Sequence, residues 1–155
     1  MICGEALVCG VLAVEIGRGS GPYHHQQGCV HGLWPQVPPY GDSECAPSGA
    51  EPTHMPSCYT DWNFVQHEWF KHGVCAGAQD GDSFFDQVCK LAKEPLELID
   101  LGLKKGLSDE AIAQTLRDTF PVVDMDPKTD QITIAACLAG DQWKLVAPEH
   151  FEEQC

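Results

Sequence analysis

The sequence is poor in positive charge and contains no long apolar segment. Lysine and arginine total 9 against 23 aspartates and glutamates, which gives a formal net charge of −14 over 155 residues. This excess of negative charge opposes binding to anionic membranes and removes the basic surface of a duplex-DNA-binding protein. No uncharged apolar run approaches the roughly 18 residues that a membrane-spanning helix requires. We therefore expect a protein that binds neither DNA nor membranes.

The sequence also lacks a Cys-x-x-Cys pair, although it contains nine cysteines. Such a pair is the commonest half of a structural zinc site, so its absence favours disulfides and an oxidising compartment. We accordingly predict no metal ligands and no cofactor. The odd number of cysteines leaves at least one thiol outside an intramolecular disulfide. Residues 1–17 lack a basic segment and contain Glu5 and Glu15, so they form no clear signal peptide.

The remaining pattern predicts a single α+β domain over residues 1–155. Segments rich in β-branched and other apolar residues predict strands at residues 7–16, 132–138 and 143–147, the last two paired across a short turn. Four helices are predicted at residues 62–73, 83–93, 95–105 and 109–120. Asp61 and Ser108 are the expected caps of the first and last helices, and Pro95 takes the favoured first position of the third.

Two short segments concentrate the residues that can perform chemistry, namely residues 29–36 (CVHGLWPQ) and 66–75 (QHEWFKHGVC). His67 and His72 superficially resemble a zinc metalloprotease motif, but that motif has its histidines four residues apart and these are five apart. On a helix the two side chains diverge by about 140°, which is too far for the usual shared metal ion. The metalloprotease interpretation therefore fails.

The helical geometry of the second segment suggests a different site. Aromatic residues 69 and 70 are predicted to face away from the ionisable groups and to bury the helix. Two imidazoles, a carboxylate and an ammonium on one face suit proton transfer beside a developing negative charge. A solvated, charged face of an amphipathic helix is the alternative, and the helix alone does not decide between the two. The four ionisable residues that share this face are His67, Glu68, Lys71 and His72.

Taken together, the two segments resemble the signatures of the ribonuclease T2 family of secreted, acid-active enzymes that cleave RNA. Residues 31–35 (HGLWP) correspond to the first signature, and residues 67–75 (HEWFKHGVC) correspond to the second. Both are complete and occur in the family's order. The resemblance implies one catalytic domain with a central antiparallel sheet, helices packed around it and stabilising disulfides.

The resemblance also implies a role for each residue of the site. His72 would take the proton from the ribose 2′-hydroxyl, and His31 would donate a proton to the departing 5′-oxygen. Glu68 and Lys71 would stabilise the phosphorus intermediate, and His67 would hold the phosphate. The product would be a 2′,3′-cyclic phosphate that is later hydrolysed to a 3′-phosphate. An intramolecular nucleophile needs an acid, a base and cationic donors but no metal, which agrees with this assignment.

Two aromatic residues match the family's base-binding positions. Trp34 is either a core residue beside Pro35 or a stacking surface for a base, and the resemblance favours stacking. Phe64 matches an aromatic residue near the other base site. The implied substrate is single-stranded RNA, since DNA lacks the attacking hydroxyl, and we expect the enzyme to act as a monomer.

For the cysteines, the resemblance implies that Cys75 is joined to Cys45 or Cys58, and Cys137 to Cys155. We therefore expect the protein outside the cell or in an acidic, oxidising lumen such as a vacuole, lysosome or periplasm.

Two alternatives of a different class accompany the ribonuclease hypothesis. The first is a catalytically inactive secreted relative that serves as an RNA-binding or storage protein. The second is a cysteine-rich metal-binding domain, which would contain stoichiometric zinc. The presence of His31, Glu68, Lys71 and His72 favours the active enzyme over both.

Overall fold

One antiparallel sheet forms the centre of the protein. The computed structural model describes residues 3–4, 6–20, 25–36 and 49–155. The strand order is β2-β1-β4-β3, and β5 also pairs with β4. Every pairing between the named strands is antiparallel, so the predicted α+β class with an antiparallel sheet is confirmed. The strands are β1 (Cys9–Glu15), β2 (Cys29–Gln36), β3 (Val122–Asp126), β4 (Gln131–Ala139) and β5 (Gln142–Leu145).

The described part of the chain forms four α-helices beside the sheet, and two of them begin where the sequence predicts. The Asp61 carboxylate accepts hydrogen bonds from the amides of Asn63 and Phe64 at the start of the first helix. The Ser108 hydroxyl accepts from the Ala111 amide at the start of the third. Within the described ranges, no helix is both long and apolar enough to cross a membrane. The helices are α1 (Trp62–Lys71), α2 (Gly81–Lys104), α3 (Asp109–Arg117) and α4 (Phe151–Gln154).

Helix α2 corrects the prediction of two separate helices at residues 83–93 and 95–105. It is one helix of 24 residues with Pro95 in its interior and Asp80 as its N-cap. Proline has no amide hydrogen, so the bond to the Leu91 carbonyl is lost. The buried face nevertheless continues through the proline, from Val88 to Ile99. Burial of this face against the core outweighs the loss of one hydrogen bond.

Strand β2 carries the first signature segment, although the sequence predicted no strand there. It pairs with β1, whose other edge pairs with β4. Because β1 needs partners on both edges for its backbone groups, long-range pairing makes residues 29–36 a strand despite their glycine and proline. Its Leu33 packs into a core that includes Leu12 of β1, Trp69 of α1 and Phe84 of α2. The sheet and α1 thereby hold the two signature segments together.

The described part of the chain contains three disulfides: Cys3–Cys9, Cys58–Cys89 and Cys137–Cys155. The predicted bond between Cys137 and Cys155 is confirmed. The alternative in which Cys58 joins Cys75 is wrong, because Cys58 is bonded across to α2. Cys75 is itself disulfide-bonded, whereas Cys45 lies outside the described residues. Such disulfides are typical of proteins from oxidising compartments.

Candidate active site

A β-bulge in β2 positions His31. The pairing with β1 passes from Ala13 opposite Gly32 directly to Val14 opposite Val30, so His31 is an extra residue in the ladder. A bulge of this kind redirects a side chain and is frequent beside active sites. The bulge therefore sets the direction of the first signature histidine, which strict alternation along the strand would not predict.

Contacts on both ring nitrogens orient the His31 side chain. Its Nδ1 lies 2.9 Å from Oε1 of Glu15, and its Nε2 lies 3.7 Å from Oε1 of Glu68. A carboxylate accepts hydrogen bonds, so Nδ1 donates to Glu15. The Tyr59 hydroxyl donates to the His31 carbonyl at 3.1 Å, and the Trp34 ring lies 4.9 Å away, edge to face. Side-chain and backbone contacts together hold the imidazole.

Glu68 lies buried between the two signature segments. Its side chain projects from α1, and the residue is 1% exposed. Its Oε2 accepts a hydrogen bond from Nε1 of Trp34 at 3.0 Å. Within the described part of the chain, its Oε1 is buried without a hydrogen-bond partner. Gly32 makes this close approach possible, because a Cβ atom at that position would overlap Oε2 of Glu68.

The environment of Glu68 favours its protonated form. Burial raises the pKa of the carboxyl from 4.5 to about 7. The positive charges of His31 and Lys71 and the hydrogen bond from Trp34 act in the opposite direction, while Glu15 raises the pKa further. Burial is the largest effect, so Glu68 is a neutral acid below about pH 7.

His72 follows α1 as its C-terminal cap and is buried beside the indole ring of Trp34. The residue is 8% exposed, and its ring centroid lies 5.5 Å from that of Trp34. Burial lowers the pKa of His72 from 6.5 to about 3, assisted by the positive charges of Lys71, His67 and His31. The imidazole is therefore neutral, and able to accept a proton, through the mildly acidic range.

The packing of α1 corrects one expectation about its faces. Trp69 is buried as predicted, but Phe70 is 41% exposed and does not bury the helix. The helix packs through Val65, Glu68 and Trp69, so its buried face includes an ionisable residue. Of the four predicted ionisable groups, His67 and Lys71 are exposed, whereas Glu68 and His72 are buried. The alternative of one solvated, charged helix face is therefore wrong, because two of the four groups are buried and two are exposed.

Phe64 and His67 face a cleft that reaches His31. Their rings are stacked at 6.4 Å, and the Phe64 ring lies 5.2 Å from the His31 ring. The three residues line a cleft of about 870 Å³. Trp34, Glu68 and His72 are not among the described residues that line it. The structure thus brings six of the predicted site residues into one region, with the cleft on the side of His31, namely His31, Trp34, Phe64, His67, Glu68 and His72.

Glu15 lies in the site although it is absent from the residues predicted for it, and its place in the sequence carried a signal. This residue interrupts the apolar segment 7–16 and is 3% exposed, and a buried carboxylate in a strand requires partners. It lies opposite Cys29 across the β1–β2 ladder. Its Oε2 is 3.3 Å from Sγ of Cys29 and 3.5 Å from Nε2 of His25. Cys29 is the cysteine outside any disulfide within the described residues.

The chain matches no protein-family model, no curated protein and no solved structure. A functional assignment therefore rests on the geometry of the site and on the two signature segments.

Proposed function

We propose that this protein is an endoribonuclease that cleaves single-stranded RNA by transphosphorylation. The observation that carries the proposal is the meeting of His31 and His72 on one indole ring, that of Trp34, with the Glu68 carboxyl beside them. The two histidines come from different signature segments and are carried by different elements, a bulged strand and the end of a helix. An acid, a base and a hydrogen-bond donor next to a cleft are the groups that this reaction needs.

In the proposed first step, His72 is the general base. It removes the proton of the ribose 2′-hydroxyl, and the oxygen attacks the adjacent phosphorus. The lowered pKa of His72 keeps the imidazole neutral at mildly acidic pH, where many other imidazoles are protonated. As the bond between phosphorus and the 2′-oxygen forms, the bond to the 5′-oxygen breaks, which leaves a 2′,3′-cyclic phosphate.

His31 is the proposed general acid for the departing 5′-oxygen. In the imidazolium form both ring nitrogens carry a hydrogen; Nδ1 donates its hydrogen to Glu15, and the proton on Nε2 is the one that is transferred. The hydrogen bond to Glu15 fixes the orientation of the ring, as a carboxylate does in a catalytic His–carboxylate pair. In the second step the two histidines exchange roles, and water opens the cyclic phosphate to a 3′-phosphate.

Glu68 and Lys71 are proposed to stabilise the charge on the phosphorus intermediate. Oε1 of Glu68 is buried without a hydrogen-bond partner within the described residues, and Nε2 of His31 lies 3.7 Å from it. Once the carboxyl is protonated, it can donate a hydrogen bond to a phosphoryl oxygen. The exposed Lys71 ammonium adds positive charge, and its influence on the pKa values of both Glu68 and His72 supports its proximity to them. No step requires a metal ion.

The proposed RNA contacts are residues that line the cleft and the neighbouring Trp34, which does not line it. His67 holds the phosphate, and Phe64 and Trp34 offer aromatic surfaces on which bases stack, each worth about 1–3 kcal/mol. Acidic residues are missing from 16–41, so this region repels the phosphate backbone less than the rest of the chain does. We propose that the enzyme acts as a monomer in an acidic, oxidising compartment or outside the cell.

The test is cleavage of homopolymeric RNA at mildly acidic pH in the presence of EDTA, with analysis of the product ends. We expect 2′,3′-cyclic phosphate ends first and 3′-phosphate ends later, with no cleavage of DNA or of 2′-O-methyl RNA. Replacement of His72 or His31 by alanine should lower the rate by about 10²–10⁴-fold, because each removes one general acid–base step. His54→Ala is the matched control, since His54 is an exposed histidine that pairs with Asp82 instead.

Cleavage of the 2′-O-methyl substrate, or unchanged rates in both variants, would contradict the mechanism. Binding of RNA without any cleavage would instead identify the inactive RNA-binding relative.

The pH dependence offers a second, independent test of the same site. With His72 required as a neutral base and Glu68 as a neutral acid, kcat/KM should be bell-shaped with limbs near pH 3 and pH 7. The charges that act on these two groups come from Glu15, His31, His67 and Lys71. In Glu68→Gln, the amide stays neutral, so the alkaline limb should move away from pH 7. An unchanged alkaline limb in this variant would assign that limb to His31, which the mechanism also requires in its protonated form, and not to Glu68.

A further inference from the structure

We propose that Glu15, His25 and Cys29 form a binding site for a divalent metal ion of the zinc type. The three residues are brought together at the end of the β1–β2 ladder, beside the cleft. This inference goes beyond the proposed ribonuclease function and does not rest on it. The ion would bind at the wall of the cleft and would take no part in the cleavage chemistry.

The distances between the ligand atoms approach those of a tetrahedral zinc site. One potential ligand atom from each residue lies within 4.8 Å of the others. Oε2 of Glu15 is 3.5 Å from Nε2 of His25 and 3.3 Å from Sγ of Cys29. With usual zinc–ligand distances, tetrahedral geometry requires about 3.4 Å between oxygen and nitrogen and about 3.6 Å between oxygen and sulfur. Two edges of the tetrahedron are therefore already formed.

The ligand chemistry selects a borderline or soft cation. A carboxylate oxygen, an imidazole nitrogen and a thiolate sulfur are all zinc ligands, and thiolates disfavour magnesium and calcium. The proton of the Cys29 thiol leaves to solvent on binding, so the thiolate and the Glu15 carboxylate together balance the charge of the ion. The three protein ligands leave a fourth position, which water from the cleft can fill.

The fold fixes the positions of Glu15 and Cys29 and of the His25 backbone. Glu15 and Cys29 face each other across the sheet as paired residues, and the amide of His25 donates to the Gly17 carbonyl at 2.7 Å. Oε1 of Glu15 accepts from Nδ1 of His31, which leaves Oε2 directed toward the other two ligands. Metal-ligating carboxylates are commonly held by such an outer hydrogen bond. The His25 side chain is 41% exposed and can rotate to close the third edge.

The experiment is a titration of the full, disulfide-intact chain with Zn²⁺ at neutral pH, without reductant or chelator. We expect one ion per chain by calorimetry and a rise in Tm with zinc. Replacement of Zn²⁺ by Co²⁺ should give a thiolate-to-cobalt charge-transfer band in the near ultraviolet, because Cys29 is one of the ligands.

Variants assign the ion to these three residues. Cys29→Ser should remove the cobalt–thiolate band and weaken zinc binding by more than about 100-fold, since loss of an outer partner alone costs about 10–100-fold. His25→Ala should weaken zinc binding while the cobalt–thiolate contact persists at high metal concentration. His54→Ala is the control, because this exposed histidine also lies beside a carboxylate, at 3.2 Å from Asp82, and its loss should leave the affinity unchanged.

The proposal is overturned if the native chain takes up no stoichiometric zinc, or if the cobalt form lacks the thiolate band. It is also overturned if His25→Ala binds zinc as tightly as the native chain. Because the His25 side chain is partly exposed, this variant keeps the test decisive even where Cys29→Ser does not fold. The ribonuclease assay in EDTA is independent of all these results.

Discussion

Glu68 and His72 should make opposite contributions to the pH dependence of the free energy of unfolding. A substitution of Glu68 can separate the two contributions. Folding raises the pKa of Glu68 from 4.5 to about 7. Between these values the native state holds a proton that the unfolded state releases, so Glu68 makes the protein less stable as pH rises. Folding lowers the pKa of His72 from 6.5 to about 3. Here the unfolded state binds the extra proton, so His72 makes the protein more stable as pH rises.

The magnitude follows from the pKa difference. Each unit corresponds to about 1.4 kcal/mol, so Glu68 removes about 3 kcal/mol from the free energy of unfolding between pH 4.5 and 7. The contribution of His72 has the opposite sign over much of this interval, and the two should largely cancel in the native sequence. Glu68→Gln removes one of them. The stability of this variant relative to the native protein should rise by about 3 kcal/mol across the interval, or about 6–12 °C in Tm.

Urea unfolding at a series of pH values between 4 and 8 measures this difference directly. Glu94→Gln is the matched control, because Glu94 is an exposed glutamate of α2 and its replacement should leave the pH dependence unchanged. A difference between Glu68→Gln and the native protein that stays constant with pH would refute the argument, since the Glu68 carboxyl would then titrate alike in both states. His72→Asn should give the opposite trend, a variant that loses stability as pH rises.

Substitutions at three further places test the local structure that supports the site, each by the free energy of unfolding in urea. Gly32→Ala places a Cβ atom on the Glu68 carboxylate and should cost about 1–3 kcal/mol, as overpacking does; unchanged stability would mean that the two do not touch. Replacement of both Cys58 and Cys89 by serine opens a loop spanning 31 residues and should cost about 3–4 kcal/mol in the chain-entropy model. Asp61→Ala removes the cap of α1 and should cost about 1 kcal/mol, whereas Asp61→Asn should cost little.

Local signals in the sequence predicted the elements that depend on neighbouring residues. The caps Asp61 and Ser108 and the β4–β5 hairpin were correct, because capping and tight turns involve groups a few residues apart. The helix break at Pro95 was wrong, because burial along the whole face of α2 outweighs one missing hydrogen bond. The exposure of Phe70 was missed for a similar reason, since the side of α1 that meets the sheet depends on the rest of the core.

By itself, the sequence determined the α+β class and identified His31, Glu68 and His72 as candidate site residues, because motifs and their spacing can be read from the sequence alone. The tertiary structure alone decided that His31 lies on a bulge and donates a hydrogen bond to Glu15, and that Glu68 is buried against Gly32. The same holds for the cluster of Glu15 with His25 and Cys29. These contacts join residues far apart in the chain, and the pKa values of Glu68 and His72 depend on burial and nearby charge. Strand register and helix packing determine the contacts, the burial and the nearby charges, and these cannot be read from the local sequence.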